Sequence, residues 1–293
     1  MNMTSSERTV YINGEWLPES KATVSIFDRG FLFADAIYEV TAVANGKIFD
    51  FDRHTSRLIR SLQTLDIPIP LSELQLLEVY KKIAVTNNLN NGSIYLQISR
   101  GAENRSFLFS KDLTPTVVIF TQPREIIANP IRDKGIKVKS TPDLRWANRH
   151  IKTVQLLNAS LSKVEAVRKG FDDALFIEKG FITECAAANF HFVTKKNVLI
   201  TRGLSNALLH GVTRGSILEI AAKAGLKVEE RNFTLEETLT GSEAFITDSL
   251  NLVMPVVSID NLAIGDGVPG PIAKTLLTHY LKSKLETGID IHN

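Results

Sequence analysis

A single cysteine, Cys185, among 293 residues excludes a disulfide within the chain and a cluster of thiolate metal ligands. The six histidines fall into no spacing that suits a metal centre, so no metal is expected. No apolar run approaches the length that crosses a bilayer, and the opening MNMTSSERTV lacks the apolar stretch of a secretory signal. The expectation is a cytoplasmic protein with no membrane role. Charge of one sign is also missing: 34 Lys and Arg are scattered among 32 Asp and Glu, and no basic stripe interleaves with aromatics. Nucleic acid is therefore not an expected partner. Neither an internal repeat nor a low-complexity tract stands out. What remains is a chain long enough for two compact domains, each with its own core.

Strand and helix patterns alternate along it. TVYING and GEWLPES read as one hairpin and VTAVANGKIFDF as another, turning at Asn45 and Gly46. DRHTSRLIRSLQTLDI reads as a helix closed by Pro68 and Pro70, and LSELQLLEVYKKIAVTNNL as a second helix. GSIYLQISRG and PTVVIFTQ follow as strands. The proline-bearing stretch at 123–130 is the expected linker between a small domain at 1–122 and a larger one at 131–293. In the latter GIKVKST reads as a strand and Leu156 to Lys169 as a helix. DALFIEKGFITE turns at Gly180, ANFHFVT follows, and a helix starts after Gly211. SEAFITDS and MPVVSIDN are further strands, and PIAKTLLTHYLKSKLE is a closing helix. The class is α+β.

Three short segments carry chemistry. Lys152, in RHIKT, sits beside Ile151 and Val154, where a partly buried amine can form a Schiff base with an aldehyde. Glu184 opens ECAAAN, and the small residues after it leave room for a flat ring whose protonated nitrogen needs an anion. In LLHGVTRGSILEIAAKAG, Gly211, Val212 and Thr213 start an amphipathic helix whose amides, with the Thr213 hydroxyl, suit a phosphate. Arg57 adds a planar fork for a second grip on that anion. Aldehyde, pyridine ring and phosphate together describe pyridoxal phosphate. Each piece also has a plainer reading, as a solvated lysine, a strand-end carboxylate, a common helix start and a charged helix face. Residue chemistry alone stops at an anion and ring site.

Order along the chain carries the reading further. FDRGFLFADAIYEV, DRHTSRL, LRWANRHIKTVQLLNASLSKVEAVRKGFDDALF, GFITECAAANFHFV and LLHGVTRGSI occur in the order found in the class IV, or fold type IV, pyridoxal-phosphate aminotransferases, and the chain resembles them throughout. D-amino-acid aminotransferases are the nearest subgroup. The resemblance implies a two-domain fold with the site between the domains, and a homodimer. It implies Lys152 as the Schiff-base lysine and proton carrier, and Glu184 at the pyridine nitrogen. Arg57, the Val212 amide, Thr213 and Ser249 would hold the phosphate, with Leu209 packed on the ring. Tyr38 would help receive the substrate carboxylate, and Arg105 would reach the same carboxylate from the partner subunit. The implied reaction moves an amino group from a D-amino acid such as D-alanine to a 2-oxo acid such as 2-oxoglutarate, by a ping-pong course.

Departures fall where substrate is chosen. Phe107 stands where D-amino-acid aminotransferases carry a histidine, which makes the carboxylate trap more apolar. Their EGSSSN is ECAAAN here, so Ala187 replaces a hydroxyl, and His191 stands where the signature has Phe or Tyr. ECAAAN and DSLNLVMPV are similar to aminodeoxychorismate lyases, whereas Glu39 and Val40 in IYEV are not. YLQISRG lacks the YxRP-type motif of branched-chain enzymes. A D-amino-acid transaminase with an altered carboxylate site is the expectation. A lyase, a branched-chain or (R)-amine transaminase, and a protein that only binds the cofactor are the alternatives.

Overall fold

A computed structural model describes residues 7–292. The chain divides into two compact units. The first takes the chain up to Ile126, the short segment Ile151–Gln155, and the chain from Thr287 on; the second takes Ile127–His150 and Leu156–Glu286.

The first unit is built on a seven-stranded sheet. Its order is Ile289–Asp290, Lys47–Ile48, Ala36–Ala44, Gly92–Ser99, Thr116–Pro123, Thr9–Ile12 and Glu15–Pro18. Both expected hairpins form. The second turns where Asn45 (φ 49°) and Gly46 (φ 68°) take the left-handed conformations that a two-residue turn between twisted strands requires. Helix Phe51–Thr64 buries Phe51, His54, Thr55, Arg57, Leu58, Ser61 and Leu62, a stripe at helical spacing, and packs on Ala36–Ala44. Helix Glu73–Thr86 starts in a capping box in which Ser72 and Gln75 exchange hydrogen bonds. The Ile151–Gln155 segment belongs to this unit and lies against strand Ala36–Ala44. Thr153 bridges Ile37, the Tyr38 amide donates to the Lys152 carbonyl at 3.0 Å, and the Val154 amide donates to the Ala36 carbonyl at 3.1 Å.

A nine-stranded sheet forms the second unit. From one edge run Lys227–Glu230, Val198–Thr201, Asn189–Val193, Glu243–Asp248, Leu252–Ile259, Ile136–Pro142, Asp173–Glu178 and Phe181–Cys185, with Leu262–Ala263 paired to Leu252–Ile259. The last strand of that path returns to Asn189–Val193 through the register pair Glu184 and Asn189, which closes the sheet on itself. Phe190, Phe192, Phe233, Leu175, Ile182, Ile246 and Met254 fill its core. Asn189 and His191 alternate with Phe190 and Phe192 and so occupy the other face of the same strand. Helices Leu157–Arg168, Val212–Lys223 and Pro271–Thr287 lie where the spacing of apolar residues puts them.

Strands Val198–Thr201 and Lys227–Glu230 and helices Arg29–Phe33, Ile131–Lys134 and Leu235–Leu239 are not among the expected elements. Each has four or five residues, too few to show a period, and the two strands are stabilised by pairing in parallel with each other. No helix among the described residues is long and apolar enough to cross a membrane.

Candidate active site

In the second unit the chemistry centres on Glu184, which is buried at the end of its strand. Its carboxylate accepts from Arg145 Nη1 at 2.8 Å, Asn189 Nδ2 at 3.0 Å and the Leu209 amide at 3.1 and 3.2 Å to its two oxygens. Arg145 lies over the Phe176 ring at 4.2 Å and also forks onto Asp143, with Nε at 2.9 Å and Nη2 at 2.8 Å. Asp143 is further held by the Thr183 hydroxyl at 2.8 Å and Arg149 at 3.2 Å. Burial pushes the Asp143 carboxyl up, but Arg145, Thr183 and Arg149 outweigh it and hold it below the usual carboxylate range. For Glu184 burial prevails: its carboxyl is raised from the ordinary value, with Arg145 and the Leu209 amide pulling against the rise.

Helix Val212–Lys223 begins close by in the same unit. Asn189 Nδ2 donates to the Leu209 carbonyl at 2.8 Å, two residues before the helix N-cap at Gly211. The N-cap there is Gly211, which has no side chain to cap the first-turn amides, and such a helix start suits an anion. Val212 and Thr213 are both buried there. Ser249 follows strand Glu243–Asp248, in a turn shaped by Asp248, which accepts from the Leu250 and Asn251 amides at 2.8 Å each.

The first unit holds the remaining candidates. Lys152 Nζ stands 4.1 Å from the centroid of the Tyr38 ring. Tyr38 stacks on Tyr95 (5.7 Å, 24°), and Tyr95 on Phe120 (4.7 Å, 21°), so a row of rings backs the lysine. Glu39 points to the opposite face of the sheet, where it pairs with Arg57 (Nε at 2.8 Å, Nη2 at 2.6 Å) and with His54 Nδ1 at 2.7 Å. Burial pushes the Glu39 carboxyl up, yet Arg57 and His54 bring it down to about 2. Arg105 is exposed in this chain, its guanidinium 5.4 Å from the Phe33 ring and 5.8 Å from the Phe107 ring. Thus Lys152 meets Tyr38, Arg105 meets Phe107, and Glu184 meets Leu209, while Arg57 is committed in large part to Glu39.

With this geometry in place, the sequence pattern described as Amino-transferase class IV matches residues 36–259. The chain belongs to the class IV aminotransferase family. A D-alanine aminotransferase of Bacillus licheniformis is 35% identical over 278 residues, 94% of this chain and 97% of that one. Another, from Listeria monocytogenes, is 34% identical over 275 residues, 93% and 95% of the two chains. Among solved structures, the branched-chain amino acid aminotransferase of Escherichia coli superimposes with a TM-score of 0.89 at 22% identity over 94% of each chain. That of Thermobaculum terrenum, in its PLP-form, gives 0.85 at 24% identity, covering 95% of this chain and 94% of the other. The fold is that of the type IV aminotransferases, α+β with two sheets.

Class IV aminotransferases work with pyridoxal phosphate on amino and keto acids, so membership of the family implies that cofactor and those substrates. Each unit carries groups of the kind that cofactor calls for: in the second, a buried carboxylate among donors and a helix start whose N-cap glycine brings no side chain; in the first, a lysine amine. Sequence reading passed over Arg145, Asn189, His54 and Glu39 as partners of these groups. Two of them had a signal. Arg145 stands seven residues before Lys152 within the segment that carries the resemblance, and Asn189 closes the ECAAAN stretch that Glu184 opens.

Proposed function

We propose that this class IV aminotransferase moves the amino group of a D-amino acid, D-alanine among them, to a 2-oxo acid such as 2-oxoglutarate, by a ping-pong course and as a homodimer. The observation that carries the reading is the identity of 35% with a D-alanine aminotransferase over 94% of this chain. Pyridoxal phosphate, when bound, supplies the aldehyde that takes up the amine and the electron sink that lets the bond from the α carbon to hydrogen break. Every other task falls to the chain. Lys152 is the amine that would hold the cofactor, and its Nζ would carry the proton taken from the substrate α carbon. Its Nζ lies 4.1 Å from the centroid of the Tyr38 ring, beside that aromatic face. Glu184 would neutralise the ring nitrogen, and Leu209 would pack on the ring. Arg57, the Val212 amide, Thr213 and Ser249 would hold the phosphate.

Tyr38 and the Arg105 of the second copy of this chain receive the substrate carboxylate, and Phe107 makes that trap more apolar than one lined by histidine. A planar guanidinium binds the carboxylate in one orientation, which is how handedness is selected. The ECAAAN and DSLNLVMPV stretches favour one second reading, lysis of aminodeoxychorismate with release of pyruvate.

The test is the visible absorption of the purified protein with D-alanine, L-leucine or (R)-1-phenylethylamine added singly and no acceptor. Loss of the cofactor band with D-alanine, abolished in Lys152→Ala, is the expected result. A band that yields only to one of the other donors overturns the D-amino-acid assignment. Indifference to all three, with pyruvate released from aminodeoxychorismate, establishes the lyase.

A further inference from the structure

We propose that Asn189 is a positioning residue that locks Glu184 to the start of helix Val212–Lys223, and so sets the separation between the group that meets the pyridine nitrogen and the backbone that meets the phosphate. The inference rests on the reading of Glu184 and that helix start as cofactor anchors. Asn189 is buried, and its amide nitrogen lies between two acceptors, Glu184 Oε2 at 3.0 Å and the Leu209 carbonyl at 2.8 Å. Only the NH2 end of the amide can serve both, which fixes how the side chain faces. The Leu209 amide returns to the Glu184 oxygens at 3.1 and 3.2 Å, so three residues form one closed ring of hydrogen bonds.

A second observation ties the other end of the amide to the helix. Gly211 has φ −64° and ψ 134°, angles open to any L-residue, so its backbone does not call for glycine. A Cβ there would instead collide with Asn189 Oδ1 and lie 3.2 Å from its Cγ. The asparagine therefore occupies the space beside the bare N-cap. Asn189 is also the register partner of Glu184 where the sheet closes, so backbone pairing and side-chain bonds join the same two residues. No shorter or charged residue reproduces this. Serine cannot span both acceptors, and aspartate has no donor and sets a second negative charge beside Glu184.

The experiment compares the full-length protein with Asn189→Ala, Asn189→Asp, Gly211→Ala, Glu184→Ala and the double variant Asn189→Ala with Glu184→Ala. Each is stripped of cofactor and titrated with pyridoxal phosphate and, separately, with pyridoxal, and thermal unfolding of the stripped proteins is recorded alongside. Asn189→Ala and Gly211→Ala should each weaken pyridoxal phosphate by about tenfold, the size of one lost hydrogen bond to a charged group, and weaken pyridoxal by less. The preference for the phosphorylated form thereby narrows. Asn189→Asp should weaken it more than Asn189→Ala does. In the Glu184→Ala background, removal of Asn189 should add little, because its effect runs through that carboxylate. Wild-type affinity in Asn189→Ala overturns the inference, and so does an equal loss for both ligands that tracks a lowered unfolding temperature. Unchanged binding in Glu184→Ala overturns instead the assignment of that residue to the cofactor, which the behaviour of Asn189→Ala cannot imitate.

Discussion

Replacing His191 by phenylalanine should make the folded protein less sensitive to acid. The imidazole is fully buried in strand Asn189–Val193, lies flat against Phe245 (4.8 Å, 12°) and bonds through Nε2 to the Thr247 hydroxyl at 2.9 Å. Its Nδ1 is buried without a hydrogen-bond partner among the described residues. Burial, with the Arg214 charge adding to it, pushes its pKa well below the ordinary 6.5, so the folded state keeps it neutral while the unfolded chain takes up a proton below that pH. The folded-state value is the depressed one. Stability is therefore intact above 6.5 and falls with pH, by about 1.4 kcal/mol per pH unit, until the folded value is reached. Between about pH 7.5 and about pH 5.5 the single imidazole costs roughly 1.4 kcal/mol, since most of that change lies below the unfolded pKa. Phenylalanine keeps the contact with Phe245 and has no proton to gain. Its loss of the Thr247 bond, about 1 kcal/mol, is the same at both pH values. Urea unfolding of both proteins at both pH values, followed by circular dichroism, measures the effect as a difference of differences, because every other titrating group is shared. The wild type should lose about 1.4 kcal/mol more than the variant. Equal losses would refute the reasoning.

Glu39→Gln should destabilise the protein by about 3–5 kcal/mol at neutral pH, because Arg57 is left charged in a buried site. Since the Glu39 carboxyl is depressed to about 2, its contribution holds above the ordinary 4.5 and is lost as pH falls through the folded value. Acid unfolding of the two proteins should therefore converge at the low end. Glu243→Ala should cost about 1–2 kcal/mol in urea unfolding, since Glu243 accepts from the Ile272 and Ala273 amides at 3.0 Å each and caps helix Pro271–Thr287. Gly270→Ala should cost as much, because a Cβ at that position would collide with the Glu243 carboxyl; a silent Gly270→Ala would argue against the cap. Phe107→His should raise kcat/KM for D-alanine over that for (R)-1-phenylethylamine by about tenfold, one hydrogen bond to a carboxylate. An equal change for both donors would remove position 107 from the carboxylate trap.

Much of this molecule can be read from its residues in order. The turn at Asn45 and Gly46, the capping box at Ser72 and the helix after Gly211 are local, and local chemistry names them. That Lys152 is partly and Glu184 wholly withdrawn from water could be read from their neighbours, because small and apolar residues flank them. Partnerships are another matter. Arg145 lies 39 positions from the Glu184 it pairs with, and Arg57 lies 18 from Glu39. Nothing in the spacing of those charges separates them from the many that face water. His191 shows the same limit in reverse, since an imidazole in an apolar strand reads as an oddity until its stack on Phe245 and its bond to Thr247 are seen.

The closure of the second sheet by Glu184 and Asn189 has a consequence for how this enzyme can diversify. Cys185, Ala186, Ala187 and Ala188 are all that separates the two, and the Cys185 amide donates to the Ala188 carbonyl at 2.8 Å within that bridge. An insertion there would separate the register pair that closes the sheet and draw the Glu184 carboxylate away from its donors, so the length of this bridge is held more tightly than its letters. Lengthening is accommodated more readily in segments that leave the seam shut, such as the exposed stretch around Arg105 and Phe107.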